Sequence, residues 1–177
     1  PAPGARFNFA EHLIARNASR PDKIAYIDDA GSPSYGDLAD RVRRMAAALL
    51  AVGMRREERV LLLMHDCSDW PVAFLGAMYA GIVPVAVNTL LTADDYAFML
   101  ANCRAQAALV SDALLPTLRA ALAQGPHELK TVVVSRPAQA LPSDAVAFEA
   151  FVSAHDPLPA PAATGPDDPG FWLYSSG

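Results

Sequence analysis

Short, unbroken apolar runs alternate along the chain with longer stretches whose apolar residues recur every three or four positions. The runs are Val60-Leu61-Leu62-Leu63-Met64, Ile82-Val83-Pro84-Val85-Ala86-Val87, Ala107-Ala108-Leu109-Val110 and Thr131-Val132-Val133-Val134. A strand that is apolar at every position is covered on both faces, which is the condition of a parallel sheet. Pro84 removes one ladder donor and predicts an edge or a bulge. Leu38, Val42, Met45, Leu49 and Val52 fall on one helical stripe, with Arg41, Arg43 and Arg44 largely off it and Gly53 placed to close the helix. Ser34 with Asp37, and Thr92 with Asp95, have the spacing of capping boxes; the second opens a helix that turns Tyr96, Met99, Leu100 and Cys103 inward. Ser68 or Asp69 is placed to cap a helix through Tyr79 that Gly81 ends, and Ser111 to cap one reaching Ala123. Ahead of these, Lys23 to Asp29, the turn Ala30-Gly31-Ser32-Pro33 and Ser34-Tyr35 read as strand, turn and returning strand. Strand and helix alternating at this spacing predict an α/β fold, a layered and largely parallel sheet flanked by helices with right-handed crossovers.

The pattern lapses between Ser135 and Gly170, where seven of the 15 prolines fall among alanines. Only Val146 to Ala154 has helical spacing there, so the segment predicts a surface connection. Phe171-Trp172-Leu173-Tyr174 then predicts one more buried strand, running straight into Ser175-Ser176-Gly177. A strand that exits into hydroxyls and a glycine has the makings of a phosphate cradle, because backbone N–H groups and hydroxyls can converge on the anion. A frayed tail is the alternative reading of the same three residues.

Composition narrows the function classes. The 177 residues carry 14 Lys+Arg against 19 Asp+Glu, a formal charge of -5 that argues against nucleic acid or an anionic membrane surface as partner. Trp70 to Ala93 contains no charge and has the length of a membrane span, but Gly81 and Pro84 break it and no basic residue flanks it closely. A buried helix followed by a buried strand accounts for it. Two cysteines 36 positions apart make neither a disulfide scaffold nor a zinc knuckle, and no secretory leader is visible, so a cytoplasmic location is expected.

Several residue types that carry chemistry have plain structural alternatives. His65-Asp66-Cys67-Ser68 stands at the carboxyl end of a strand, where α/β sheets place ligand sites, yet a loop whose Ser68 or Asp69 caps the next helix explains the same letters. Cys67 with His65 lacks a third orienting group for nucleophilic catalysis. Cys103 reads as core, His12, His127 and His155 as isolated surface residues, and Arg41, Arg43 and Arg44 as a solvated helix face, with contact to a ligand phosphate as the alternative. Trp70 and Trp172 read as packing anchors, and Asp28-Asp29 and Asp167-Asp168 as turn residues.

Five stretches in order resemble the acyl-adenylate-forming superfamily of acyl-CoA synthetases, peptide-synthetase adenylation domains and luciferases. They are Ser34 to Leu38 with Val60 to Met64; Phe74-Leu75-Gly76-Ala77-Met78-Tyr79-Ala80-Gly81-Ile82-Val83-Pro84-Val85; Tyr96 to Ala105; and Asp168 to Gly177, which is similar to the front of the AMP-binding signature. Phe7 to Ala10, Val87 to Tyr96 and Phe171 to Tyr174 resemble the bacterial benzoate-CoA ligase group within it. Glu57-Glu58 stands where that family often has Gly-Asp, and Pro169-Gly170 where Val-Ala is commoner.

The resemblance implies that residues 1–177 are the N-terminal part of the large AMP-binding domain, with 135–170 as its Pro/Ala-rich connection. It implies ATP, Mg2+ and coenzyme A as cofactors, and benzoate or a related aryl acid as the small-molecule partner. Tyr174, Ser175, Ser176 and Gly177 are the residues it assigns to the ATP phosphates. The family's acyl pocket, nucleoside contacts, Mg-binding glutamate and catalytic lysine fall beyond residue 177, so no catalytic or metal residue is expected in this chain, and residues 1–177 alone are expected not to turn over. Transfer to a carrier-protein thiol, or a freestanding α/β binding module without catalysis, are the competing readings. Oligomeric state stays open, a homodimer included.

Overall fold

A computed structural model of the chain describes residues 5–175. Six strands form one sheet: β1 (Arg59–Leu63), β2 (Val83–Ala86), β3 (Ala107–Ser111), β4 (Thr131–Ser135), β5 (Val146–Ala147) and β6 (Trp172–Leu173). Their order is β5-β4-β3-β1-β2-β6, and all five pairings are parallel. Six helices accompany them: α1 (Phe9–Asn17), α2 (Tyr35–Ala51), α3 (Asp69–Tyr79), α4 (Ala93–Cys103), α5 (Leu115–Leu122) and α6 (Phe148–Ser153). The parallel α/β layering expected from the apolar runs is present.

Successive residues of β1 face opposite sides of the sheet, and each side has its own core. Val60 and Leu62 belong to the cluster with Val42, Met45 and Leu49 of α2, Ala73 and Ala77 of α3, and Phe148 of α6. Leu61 and Leu63 join Tyr96 and Leu100 of α4 and Leu118 of α5 on the other side. The chain steps outward from β1 to β2, then returns across β1 to β3, so the winding reverses between β1 and β3. That reversal opens a crevice at the carboxyl ends of strands in α/β sheets.

Local signals set several boundaries. Both expected capping boxes form: the Ser34 and Thr92 side chains accept from the N–H groups of Asp37 and Asp95, whose carboxylates answer to the cap backbone. Gly53 follows α2 at φ +89°. Gly76 lets α2 and α3 touch, since a Cβ there would stand 2.4 Å from Met45 Cγ and 2.7 Å from Met45 Cβ. Glu57 adopts φ +66°, a conformation that suits glycine.

Other expectations need correction. Lys23 to Tyr35 forms two isolated antiparallel bridges, Ile24 with Ser34 and Asp28 with Gly31, rather than paired strands. Val52 leaves the apolar stripe and is 40% exposed, because the helix ends one residue earlier. Pro84 is not at the edge. The N–H groups of Val83 and Val87 donate to Glu58 and Leu62, so by alternation the missing donor of Pro84 faces the β6 side, where pairing begins only at Val85. The 135–170 connection contributes β5 to the sheet and buries Phe148, Phe151 and Val152, because α6 packs back on α2 and β4. Its later part straps the helical layer: Leu158 N–H donates to Arg43 O, and Ala162 N–H to Tyr79 O. Finally, Phe171, Trp172 and Leu173 are 48, 38 and 67% exposed rather than buried. Among the described residues β6 is the last strand in the sheet order, paired with β2 at two residues.

No helix among the described residues is long and apolar enough to cross a membrane. Trp70 to Ala93 instead supplies α3 and β2, as the broken pattern indicated.

Candidate functional site

All strand exits lie on one edge of the sheet because every pairing is parallel, and the candidate residues gather there. Two regions of that edge differ in kind.

The first surrounds the exits of β1 and β4. Asp69, in the first turn of α3, is buried and is the centre of a charged chain. Ser135 Oγ donates to its Oδ2 at 2.7 Å, Arg41 Nη2 to its Oδ1 at 3.2 Å, and Arg136 Nε lies 3.7 Å away. Arg41 also holds Glu149 at 2.8 Å. Arg136, itself at φ +53°, donates to Ser68 Oγ at 3.1 Å and reaches Asp28. Asp28 accepts from the Ser68 N–H at 2.6 Å, and that bond, with the Arg136 guanidinium behind it, holds its carboxyl far below the usual carboxylate range. Asp28 also accepts from Ala30 N–H and Gly31 N–H, so it is a turn residue and a tie at once. A cleft of about 470 Å³ opens beside the network, lined in part by Asp37, Arg41, Asp69, Arg136 and Glu149.

The sequence presents these residues differently. Ser68 stands at the cap position of α3, but its backbone is helical rather than extended there, its side chain makes no cap bond, and its hydroxyl accepts from Arg136. Ser111 likewise caps nothing and accepts from His65 N–H at 2.9 Å, tying the exits of β1 and β3 together. Arg41, Arg43 and Arg44 are half-buried and paired rather than solvated. Arg43 stands 3.7 Å from Glu11 and over the Tyr79 ring, and Arg44 holds Asp40 at 2.7 Å and donates to His155 O at 2.9 Å. Cys67 Sγ lies 4.0 Å from Ser135 Oγ and His65 is exposed, so the described residues contain no thiol–imidazole pair. Cys103 is buried as core, and burial pushes its thiol up. His12 and His127 are exposed, but His155 is half-buried. Trp70 stacks on Phe74 with centroids 4.9 Å apart, a packing anchor as expected.

The second region is the exit of β6. Tyr174 turns inward against α4, donating to Asn102 Oδ1 at 2.8 Å and lying 3.3 Å from Met99 O. Burial first, and the neighbouring Cys103 second, push its phenol up to about 12. Ser175 follows and is exposed at the carboxyl edge. Ser176 and Gly177 lie outside the described residues. Arg59 joins the two elements, donating from Nε to Cys103 O at 2.5 Å with its guanidinium 5.5 Å above the Trp172 ring. Asn102, Arg59 and the Asp69 network escaped sequence reasoning. The one signal for Asp69 was its position, a carboxylate heading an uncharged stretch of 24 residues.

Comparison with known proteins adds identity to this geometry. The family model described as AMP-binding enzyme matches residues 13–177. A benzoate–CoA ligase of Thauera aromatica is 44% identical over 97% of this chain and 32% of its own length. A 4-hydroxybenzoate–CoA/benzoate–CoA ligase of Rhodopseudomonas palustris is 39% identical over 97% of this chain and 31% of its own. Crystal structures of a benzoate CoA ligase from Burkholderia xenovorans superpose with a TM-score of 0.88 at 47% identity, over 95% of this chain and 32% of that one. The anthranilate CoA ligase AuaEII in complex with anthranoyl-AMP superposes with a TM-score of 0.91 at 25% identity, over 99% of this chain and 33% of that one. The chain thus spans about a third of the length of the relatives it matches. A match this continuous, on a sheet of the same topology, places the chain in the AMP-binding enzyme family.

Proposed function

We propose that the protein containing this chain is an ATP-dependent aryl-CoA ligase, with benzoate as its leading substrate, and that residues 1–177 form the N-terminal part of its large AMP-binding domain. The observation that carries the reading is the 44% identity to a benzoate–CoA ligase across 97% of the chain. The sheet supports it: β6 runs parallel to β2 and delivers Ser175 to the carboxyl edge, where a hydroxyl can meet a phosphate.

In the proposed reaction a carboxylate oxygen of the aryl acid attacks the α-phosphorus of ATP. The bond to the bridging oxygen breaks and pyrophosphate leaves. The thiol of coenzyme A then gives up its proton and attacks the acyl carbon, AMP departs, and the thioester remains. Such transfers draw most of their rate from positioning and charge neutralisation. This chain's share is to anchor the phosphates through Ser175, Ser176 and Gly177, with Tyr174 setting their stem. Mg2+ neutralises phosphate charge in reactions of this kind. The resemblance assigns its ligands to the remainder of the protein.

The test is benzoate-dependent exchange of pyrophosphate into ATP by the complete protein, followed by coenzyme A-dependent release of AMP. Exchange with release dependent on coenzyme A is expected. Exchange whose product leaves only with a carrier-protein thiol would replace the ligase reading, and no exchange with any aryl acid would end it.

A further inference from the structure

One carboxylate serves both the 26–33 turn and the cleft beside the charged network. Asp28 Oδ1 accepts from the N–H groups of Ala30 at 2.8 Å and Gly31 at 3.1 Å, which shapes the turn. Its Oδ2 accepts from Ser68 N–H at 2.6 Å and from Arg136 Nη2, which fixes the turn to the start of α3 and the exit of β4. The base of the segment is set: Tyr35 N–H donates to Lys23 O, and Ala25 and Tyr35 pack against the core. Arg136 is set as well, at φ +53°, with Nη2 also donating to Ser68 Oγ at 3.1 Å and Nε 3.7 Å from Asp69. Ala30, Gly31 and Pro33 of the turn line the cleft of about 470 Å³ together with Arg136, Ser68 and Asp69.

We propose that the 26–33 turn is a flap on this cleft, latched through Asp28 to Arg136, that opens and closes without unfolding the sheet. Catch and flap are held differently. Arg136 keeps Ser68 and Asp69 as neighbours when Asp28 departs, so the catch stays in place while the turn swings. Both ties of the turn to α3 and β4 meet on one oxygen, so they break together. The Arg136 side chain is 37% exposed, and pairs of that kind are modest and screened by salt. The sheet beneath is held by burial instead, with Val60 to Leu63 and Ala107 to Val110 wholly inside. A segment latched by one such pair opens at lower cost than the core it rests on.

The experiment follows amide hydrogen exchange of the complete protein, resolved to the Ser68 amide, whose acceptor is the latch itself, with β1 and β3 as references. In the parent protein Ser68 is expected to exchange about tenfold or more faster than β1 and β3. Its rate should be insensitive to low concentrations of urea, because a small opening exposes little surface. Arg136→Met and Asp28→Asn should each speed Ser68 exchange about 3- to 10-fold, the scale of one charge-assisted tie on a partly exposed group. The double variant should be no faster than the faster single, because both remove one pair. Salt at about 1 M should speed exchange in the parent protein and leave Arg136→Met unchanged. Ser68 exchanging only as fast as β1 and β3, with their urea dependence, would overturn the proposal, since the turn would then move only when the sheet unfolds. So would a Ser68 rate indifferent to both substitutions, the result expected if the remainder of the protein holds the turn shut. Should neither variant fold, the parent protein decides alone: Ser68 exchange indifferent to salt would overturn the latch.

Discussion

Two exits on the same edge of the sheet are built on opposite plans. At β1 and β4, Asp28, Asp69, Arg41, Arg136 and Glu149 are joined in one run of ion pairs with Ser68 and Ser135 filling the gaps. At β6, Trp172 and Leu173 pair with β2, the Tyr174 hydroxyl donates to Asn102, and Ser175 is exposed. A dense set of charged side chains looks more like chemistry than a bare serine does. Yet groups that already satisfy one another have little left for a ligand, and burying them unpaired would be costly. The phosphate site proposed for this protein is at the β6 exit, outside this network.

The sharpest way to break that contrast is at Asp69. Asp69→Ala strands two guanidinium groups and a hydroxyl beside a buried hole, and should cost about 3 kcal/mol, read as a lowered unfolding temperature of the complete protein. ATP affinity of the surviving folded protein should be unaltered. If ATP binding collapses while stability holds, the network is a binding site and the contrast is wrong. Next in size is Gly76→Ala, which drives a methyl into Met45 and should cost about 2 kcal/mol despite the better helix propensity of alanine. It tests whether the helical layer under the network is as tightly set as the network itself.

Asp28→Asn sharpens the same point through pH. The aspartate is held low in the folded state, so its stabilisation is present above its unfolded value of about 4 and is lost as pH falls through the lower folded value. Unfolding temperatures of parent and variant should differ at neutral pH and converge in acid. A gap independent of pH would mean that the ion pair contributes nothing. Smallest is Glu57→Gly, which relieves a left-handed backbone and should gain about 0.5 kcal/mol after the glycine's own entropy cost. It lies far from both exits in chemistry and should move neither ATP nor acid affinity.

The fold was legible wherever the cause is local. Four apolar runs became β1 to β4, and two capping boxes began α2 and α4 as spacing required. Pairings over long separations were not legible. Arg136 meets Asp28 across 108 positions and Arg41 meets Glu149 across the same span, and nothing in either local pattern signals it. Hence Ser68 reads as a cap and Arg41 as surface. Phe171-Trp172-Leu173 are apolar yet exposed in this chain, which spans about a third of its relatives' length. The phosphate-binding assignment was carried by resemblance, since a strand followed by two serines and a glycine is too common a string to stand alone.

The most direct test of the central claim replaces Ser175 and Ser176 together by alanine in the complete protein and measures benzoate-dependent pyrophosphate exchange as ATP is varied. The account expects kcat/KM for ATP to fall by about tenfold or more, two hydroxyl contacts being lost, with the unfolding temperature unchanged. Exchange as fast as in the parent protein, at the same KM for ATP, would contradict it.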